Sequence, residues 1–309
     1  VTIPPVYGDD SASEASGEEQ QEDVEEVALR SAEVRVLTWN TYLETRCSFV
    51  LEAAKAADVL CLQEATPASA EWLQEQLAES FDLFTPPRCG GAWDTEGHGV
   101  AIAVRRETLE AHAPKLHAMA SEQERSLMTV RVQVRRSNLA LLVATAHLES
   151  GTDAAEIRKE QLRQASEVMS DETVDAAVFA ADCNLGRREK TRTFAGLGED
   201  AWVLAGEAED KRWTWPAPVP GPVPAVSPQT GGRSASTAPA QRFDRIYVQG
   251  RRAVPRAGGA DSQTLELREG TFALHESPLS DHRGVQCTLT LTEARAKQRR
   301  RRARDLGEP

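Results

Sequence analysis

Short apolar runs recur along this chain, and several of them stop abruptly at a polar side chain. Val34–Trp39 alternates and then turns apolar, which predicts a strand ending at Asn40. Asp58–Leu62 predicts a buried strand that delivers Gln63 and Glu64. Val100–Val104 follows a glycine-rich loop at residues 90–99 and reads as a strand. Residues 126–135 and 139–146 alternate strongly on either side of a turn at Arg136–Asn138, which predicts an antiparallel pair ending in His147. Residues 176–181 form the central apolar run, and it ends in Asp182-Cys183-Asn184. Buried strands rarely run into a carboxylate unless it has partners or a task. Phe243–Val248, carrying Asp244, and Gly284–Leu291, led by Ser280-Asp281-His282, supply two more strands.

Helical spacing fills the gaps. Residues 47–57 are alanine-rich and helical in pattern. Thr66-Pro67 opens a helix with an N-cap hydroxyl and proline at the first helical position, its inner face carrying Trp72, Leu73 and Leu77. Trp72 reads as core. Ser150–Asp153 resembles a capping box opening a helix to about Met169, with Ile157, Leu162, Ala165 and Val168 or Met169 inward. Strands with intervening helices plus an antiparallel pair predict an α/β sandwich with mixed sheets.

Composition narrows the class. The chain has 309 residues, 40% apolar and 27% charged, and its motifs run from Asn40 to His282, which favours one catalytic domain over two. No apolar run approaches the roughly 20 residues that span a membrane. Five scattered cysteines without C-x-x-C spacing argue against zinc, and Cys61, Cys183 and Cys287 read as buried thiols. The net charge of −12 is uneven. Residues 1–30 hold nine acids against Arg30 and read as a disordered tail; residues 293–309 carry a net +4 and read as a basic tail. That basic end suits a nuclear-import signal, a nucleic-acid contact or a frayed solvated helix. The intervening domain, residues 31–292, keeps −8, which argues against gripping a long duplex over a broad face. Residues 216–240, rich in proline, read as an insertion loop.

Singly, each strand-end motif is weak. Taken in order, Thr38-Trp39-Asn40, Leu62-Gln63-Glu64, Thr145–Leu148, Asp182-x-Asn184, Asp244-Arg245-Ile246 and Ser280-Asp281-His282 are a strong joint signal. Over residues 34–291 the chain resembles the endonuclease/exonuclease/phosphatase superfamily. The resemblance implies a four-layer α/β sandwich of two mixed β-sheets flanked by helices, a divalent metal (Mg²⁺, with Mn²⁺ as substitute) and hydrolysis of a phosphoester. His147–Ser150, Asn184–Arg192, Thr214-Trp215, Arg242–Ile246 and Ser280–His282 resemble more narrowly the tyrosyl-DNA phosphodiesterase branch. That branch frees DNA 5′ ends from a trapped topoisomerase tyrosine. Its known members carry an acid where this chain has Tyr42, Thr-Arg where it has Gly151-Thr152, and Arg where it has Gly186. Those departures bear on substrate preference.

The implied roles make chemical sense. Glu64 is the first metal ligand, with Asp281 and Asn40 beside it, since Mg²⁺ takes oxygen donors and keeps several waters. Asp182 orients and deprotonates water; Asn184, His147 and His282 donate to the phosphate; Asp244 accepts from the far ring nitrogen of His282; Ser280 completes the catalytic set. Trp215 is the candidate stacking platform, or else a plug at the core edge, while Arg188 and Arg242 are candidates for phosphates on the 5′ side. The expected partner is a DNA 5′ end bearing a tyrosyl or peptide adduct, met by a monomer in the nucleus and also the cytoplasm. Alternatives are an apurinic-site endonuclease, a general nuclease, a small-phosphoester phosphatase, or a non-catalytic binding relative. The last is disfavoured because each expected catalytic side chain is present.

Overall fold

A computed structural model describes residues 30–43, 46–135, 137, 139–171, 173–187, 189, 196–216, 239–250 and 263–293. The acidic segment before Arg30, the proline-rich residues 217–238, Arg188 and the basic end after Glu293 lie outside these described residues.

Two mixed β-sheets stack face to face. The first contains β1 (Arg30–Asn40), β2 (Val59–Ala65), β3 (Phe81–Phe84), β4 (Gly99–Arg105), and, from the C-terminal part, β11 (Gln263–Leu267), β12 (Ala273–His275) and β13 (Gly284–Glu293). Its order is β11-β13-β1-β2-β4-β3, with β12 also on β13. The second contains β5 (Leu109–Ala118), β6 (Ser126–Val134), β7 (Ala140–Ala146), β8 (Ala176–Asp182), β9 (Glu199–Asp200) and β10 (Asp244–Gly250), ordered β5-β6-β7-β8-β10-β9. Each sheet has a single parallel pair among its described strands, β1 with β2 and β7 with β8. Both strands of a parallel pair finish on the same rim, so each pair carries two chain ends to one edge of the sandwich.

Alternation along the strands divides the core. Val34, Val36, Val59 and Cys61 pack between the sheets against Val130, Val143, Val178 and Ile246. Leu37, Trp39, Leu60 and Leu62 face outward onto helices α1 (Ser48–Ala54) and α2 (Pro67–Leu77). Phe179 and Tyr247 face the other way, onto Leu162, Ala165 and Met169 of α3 (Ala155–Met169). The result is the expected four-layer α/β sandwich; a short α4 (Ala201–Leu204) follows β9. Cys61, Cys183 and Cys287 are buried free thiols. The Thr66 capping box forms with Ser69, and Pro67 occupies the first turn of α2.

Other expectations are corrected. β1 starts at Arg30, opposite Glu293 of β13, and β3 and β5 were not legible in the apolar pattern. Ser150 does not cap α3: its hydroxyl and backbone N–H bond Gln123, and the helix starts after Ala154 with no side-chain cap. The inner face of α3 carries Arg158 and Gln161 where Ile157 was expected. Arg158 is only 2% exposed. It donates to the carbonyls of Glu149 and Gly151 and pairs with both Glu189 oxygens at 3.0 and 2.8 Å. One arginine thereby ties the loop after β7 to the loop after β8. Breaking a buried pair costs about 3–5 kcal/mol because the survivors lose their partners. Arg158→Met is expected to lower the melting temperature by roughly 6–15 °C, measured by thermal denaturation. A shift under two degrees would show that the pair contributes little.

Beneath the rim a polar bridge joins the sheets. Gln63 Nε2 donates to Thr38 Oγ1 (3.0 Å) and Thr145 Oγ1 (2.9 Å), and Thr145 Oγ1 donates to the Ala180 carbonyl (2.7 Å). All are fully buried, so every bond matters to the fit of one sheet on the other.

Candidate active site

The rim to which the two parallel pairs run is also where the polar strand ends meet. β1 delivers Asn40 and β2 delivers Glu64; β7 and β8 deliver His147 and Asp182. β10 is antiparallel to β8 and begins with Asp244 directly opposite Asp182. The turn before β13 adds Ser280, Asp281 and His282. Glu64 sits in a β-bulge where the register between β2 and β4 shifts, with φ +54°, and this swings its carboxylate to the rim. Asn184 is also left-handed, φ +49°. Gly284 lets the His282 turn lie on Trp39: a Cβ there would come within 2.6 Å of the indole, whose N–H donates to the His282 carbonyl (3.0 Å).

Asp182 is the centre. Its Oδ2 accepts from Asn40 Nδ2 (2.9 Å) and its Oδ1 from the Asn184 backbone N–H (3.0 Å). Nε2 of His147 and Nε2 of His282 converge on Oδ2 from 3.6 and 3.8 Å, beyond hydrogen-bonding distance. Asn40 Nδ2 also donates to Glu64 Oε1 (3.1 Å), and Asn184 Nδ2 to the Leu148 carbonyl (2.9 Å).

The two histidines differ in charge. Burial disfavours a charged His282, yet the Asp244 carboxylate, with Asp182 behind it, prevails and holds its pKa well above the ordinary value. Its Nδ1 donates to Asp244 Oδ2 at 2.8 Å, as the sequence suggested. His147 goes the other way: burial first, then the Arg125 and His282 charges, push its pKa well down. Glu64 and Asp182 lie within 4.0 Å of it and pull upward, but the geometry decides. Arg125 Nη1 is 3.2 Å from His147 Nδ1, and an arginine can only donate, so Nδ1 carries the lone pair and Nε2 the proton. Burial raises the Asp182 pKa to about 7, against the pull of His282 and with a further push from Asp244.

The residues fit a hard cation. Glu64 is 4% exposed and no arginine or lysine among the described residues pairs with it. Asp281 Oδ2 accepts from the Trp215 indole (2.9 Å), while its Oδ1 is buried with no hydrogen-bond partner. Both offer oxygen, the donor Mg²⁺ takes. Asp182, Asp244 and His282 also bring ligand atoms within 4.8 Å of one another. That group suits a cation poorly, because the Nδ1–H of a charged His282 is spent on Asp244 and its other nitrogen is a proton donor. Asn40 is not placed as a ligand either: its Oδ1 accepts from the Tyr42 N–H (2.9 Å), leaving nitrogen toward the carboxylates.

Two further expectations are relocated, Ser280 and Arg242. Ser280 Oγ donates to the Asn40 carbonyl (2.7 Å) and accepts from the His282 N–H (3.1 Å), so it ties the His282 turn to β1 and has no proton left for chemistry. Arg242 is turned away, its guanidinium bonded to both Asp200 oxygens at 3.0 and 2.7 Å. Trp215 stands at the rim, half-buried, 5.4 Å from the Phe243 ring centre. Arg125, Tyr42 and the bridging Gln63 are additions the strand-end reading did not assign to the site. Arg125 comes from a polar loop just ahead of β6, which no periodicity marks. Beside Arg125 and His147 opens a cavity of about 440 Å³, lined also by Trp93, His98, Leu116 and Met119.

The sequence profile described as the Endonuclease/Exonuclease/phosphatase family matches residues 37–282, spanning both Asn40 and His282. The chain belongs to this family. Within the endonuclease/exonuclease/phosphatase family it is 28% identical over 257 residues to human tyrosyl-DNA phosphodiesterase 2, covering 79% of this chain and 62% of that protein. The Danio rerio protein of the same name is 26% identical over 250 residues, covering 79% and 60%. This chain therefore spans less than two thirds of either relative. Its fold is similar to that of the D. rerio TDP2 crystal structure complexed with single strand DNA product, with TM-score 0.65, 23% identity, and coverage of 84% of this chain and 99% of that one.

Proposed function

We propose that this chain is a Mg²⁺-dependent phosphodiesterase that hydrolyses adducts at DNA 5′ ends, with a 5′-phosphotyrosyl or peptide-linked end as its substrate. The observation that carries the chemistry is the buried Asp182, raised to about 7 and faced by the N–H groups of one neutral and one charged histidine. The names of the relatives supply the substrate class.

In this reading Asp182 accepts the proton of the attacking water while Asn40 and the Asn184 N–H hold its carboxylate in place. His282, charged, and His147, neutral with Nε2–H outward, donate to the phosphoryl oxygens, joined by the second N–H of the Asn184 amide. Glu64 and Asp281 would hold the divalent ion, which when bound supplies positive charge to the transferring phosphate. The water oxygen bonds phosphorus, the bond from phosphorus to the tyrosyl oxygen breaks, and the electron pair leaves on the phenolate. With a phenol pKa of about 10, that leaving group needs no dedicated acid. The products are a 5′-phosphate end and a freed tyrosine. Among the described residues no helix is long and apolar enough to cross a membrane. We take the nucleus, with some protein in the cytoplasm, as the place of action, and a monomer as the acting form.

A substrate panel tests this: 5′-phosphotyrosyl oligonucleotide, abasic duplex, plain single strand and an inositol phosphate, each with Mg²⁺ and after EDTA. The phosphotyrosyl end should be turned over fastest, EDTA should stop it, and Glu64→Ala should raise the Mg²⁺ needed for half-maximal rate. Mn²⁺ is expected to substitute. Cleavage of the inositol phosphate alone would remove nucleic acid from the reading.

A further inference from the structure

Next to the site lies a ladder of arginines and tryptophans that the chemistry above does not use. Arg187, exposed and three residues past Asn184, sits with its guanidinium carbon 4.8 Å from the Trp213 ring centre. Arg212 lies 4.4 Å from that same ring and 5.6 Å from Trp202. The inner end is closed by Arg242, stacked on Trp202 at 4.7 Å and neutralised by Asp200. Of the outer members, Arg187 has no carboxylate partner among the described residues and Arg212 has only an exposed one. Arg187 spends Nε and Nη2 on the Ala240 carbonyl, and Arg212 spends Nη1 on Glu209 in an exposed pair. Their other donors have no partner among the described residues.

The backbone that carries Trp213 is tethered beside the site. Gln241 O accepts from the N–H groups of Thr214 and Trp215 at 3.0 Å, and Arg283 bonds the Trp213 and Thr214 carbonyls at 2.8 Å. Trp213 belongs to the same tethered segment as Trp215, whose indole donates to Asp281 in the site. A guanidinium stacked on an indole still presents its in-plane N–H groups, and here Arg187 keeps Nη1, and Arg212 keeps Nε and Nη2, to meet phosphate oxygens. Stacking also orders the side chain before a ligand arrives.

We propose that Arg187, Trp213 and Arg212 form a strip that grips the backbone phosphates of a single-stranded polynucleotide leading away from the reacting end. The strip is one residue-ladder wide and the chain between the tails is acidic, which fits a single strand and not a duplex laid over a broad face. This rests on the nucleic-acid reading above, and the test separates the two.

The experiment measures kcat/KM on 5′-phosphotyrosyl single strands of one, three and six nucleotides and on a minimal aryl phosphodiester, over a range of salt. Wild-type preference for three nucleotides over one should fall about tenfold in the Arg187→Gln/Arg212→Gln variant. Its salt slope should shrink by about 1.4, two contacts at about 0.7 each. Glu209→Gln, which frees Arg212, should move the preference the other way. Full retention of length preference and salt slope in the double variant would overturn the strip alone. A wild type that gains nothing from nucleotides over the minimal diester would overturn the strip and the nucleic-acid reading together. If the double variant does not fold, Glu209→Gln decides: an unchanged or reduced preference overturns the strip.

Discussion

Asp182→Asn is expected to lower kcat on a phosphotyrosyl oligonucleotide by about 10²–10⁴-fold, the range that a positioned general base supplies. The folded structure should survive, because asparagine keeps the shape of a side chain that is 1% exposed at the end of β8. The pH dependence gives a second readout. The Asp182 pKa is raised from an ordinary 3.8 to about 7, chiefly by burial, so between those values the folded protein binds a proton that the unfolded chain has released. Its contribution to stability is complete below about 4 and is lost as pH rises through about 7. The slope is at most about 1.4 kcal/mol per pH unit. The asparagine variant lacks this slope, so its melting temperature relative to wild type should climb between pH 5 and pH 8. For activity the ionised form is the base, so wild-type kcat/KM should rise with pH to a limb at or below about 7, lower once a cation sits by Glu64. Near-normal kcat in the variant, or a melting difference flat in pH, would assign water activation elsewhere.

Asp244→Asn should cost about 10²–10³-fold in kcat, the loss typical of removing one preorganised donor to the transition state. The mechanism is indirect. Asp244 touches no reacting atom; its carboxylate holds His282 Nδ1 at 2.8 Å and keeps the ring charged against the penalty of burial. With the raised pKa, the ion pair's stabilisation is fully present below the ordinary value of 6.5 and is lost as pH rises through the higher folded value. Without Asp244 the folded pKa falls, and His282 Nε2 ceases to donate at a lower pH. The alkaline limb of the kcat profile should therefore move toward neutrality, and the His282 ring protons should titrate earlier by NMR. An unmoved alkaline limb would make Asp244 a packing residue.

Both effects depend on charge being held in a dry place. The pair Asp182 and Asp244 faces one imidazolium, His282, so one of the three charges is always in excess, and Asp182 relieves it by its raised pKa. Arg125 settles the second histidine by occupying Nδ1 with a donor. The same rim thus carries one neutral and one charged imidazole, 3.6 and 3.8 Å respectively from a shared oxygen. Neither state could be assigned from residue type alone.

The sequence by itself determined which strands exist at the centre and what stands at their ends. Apolar runs that stop at Asn40, Glu64, His147 and Asp182 are legible because a buried strand must be apolar along its length, and a polar end is a local contrast. The strand pair 126–135 and 139–146, the Thr66 cap and the buried cysteines were legible for the same local reason. β3 and β5 escaped: the first is four residues long, and the second is half exposed, with a register shift between His112 and Lys115. Only the tertiary structure decided the rest, because each such choice is a competition between partners far apart in the chain. Arg242 went to Asp200 and not to the rim; Ser280 went to the Asn40 carbonyl; Asn40 turned its nitrogen inward once Tyr42 claimed its oxygen. Arg158 could lie on the inner face of α3 only because Glu189 and two loop carbonyls meet it there. A donor carries no mark of which acceptor will win it, and that is settled by burial and distance when the two sheets close.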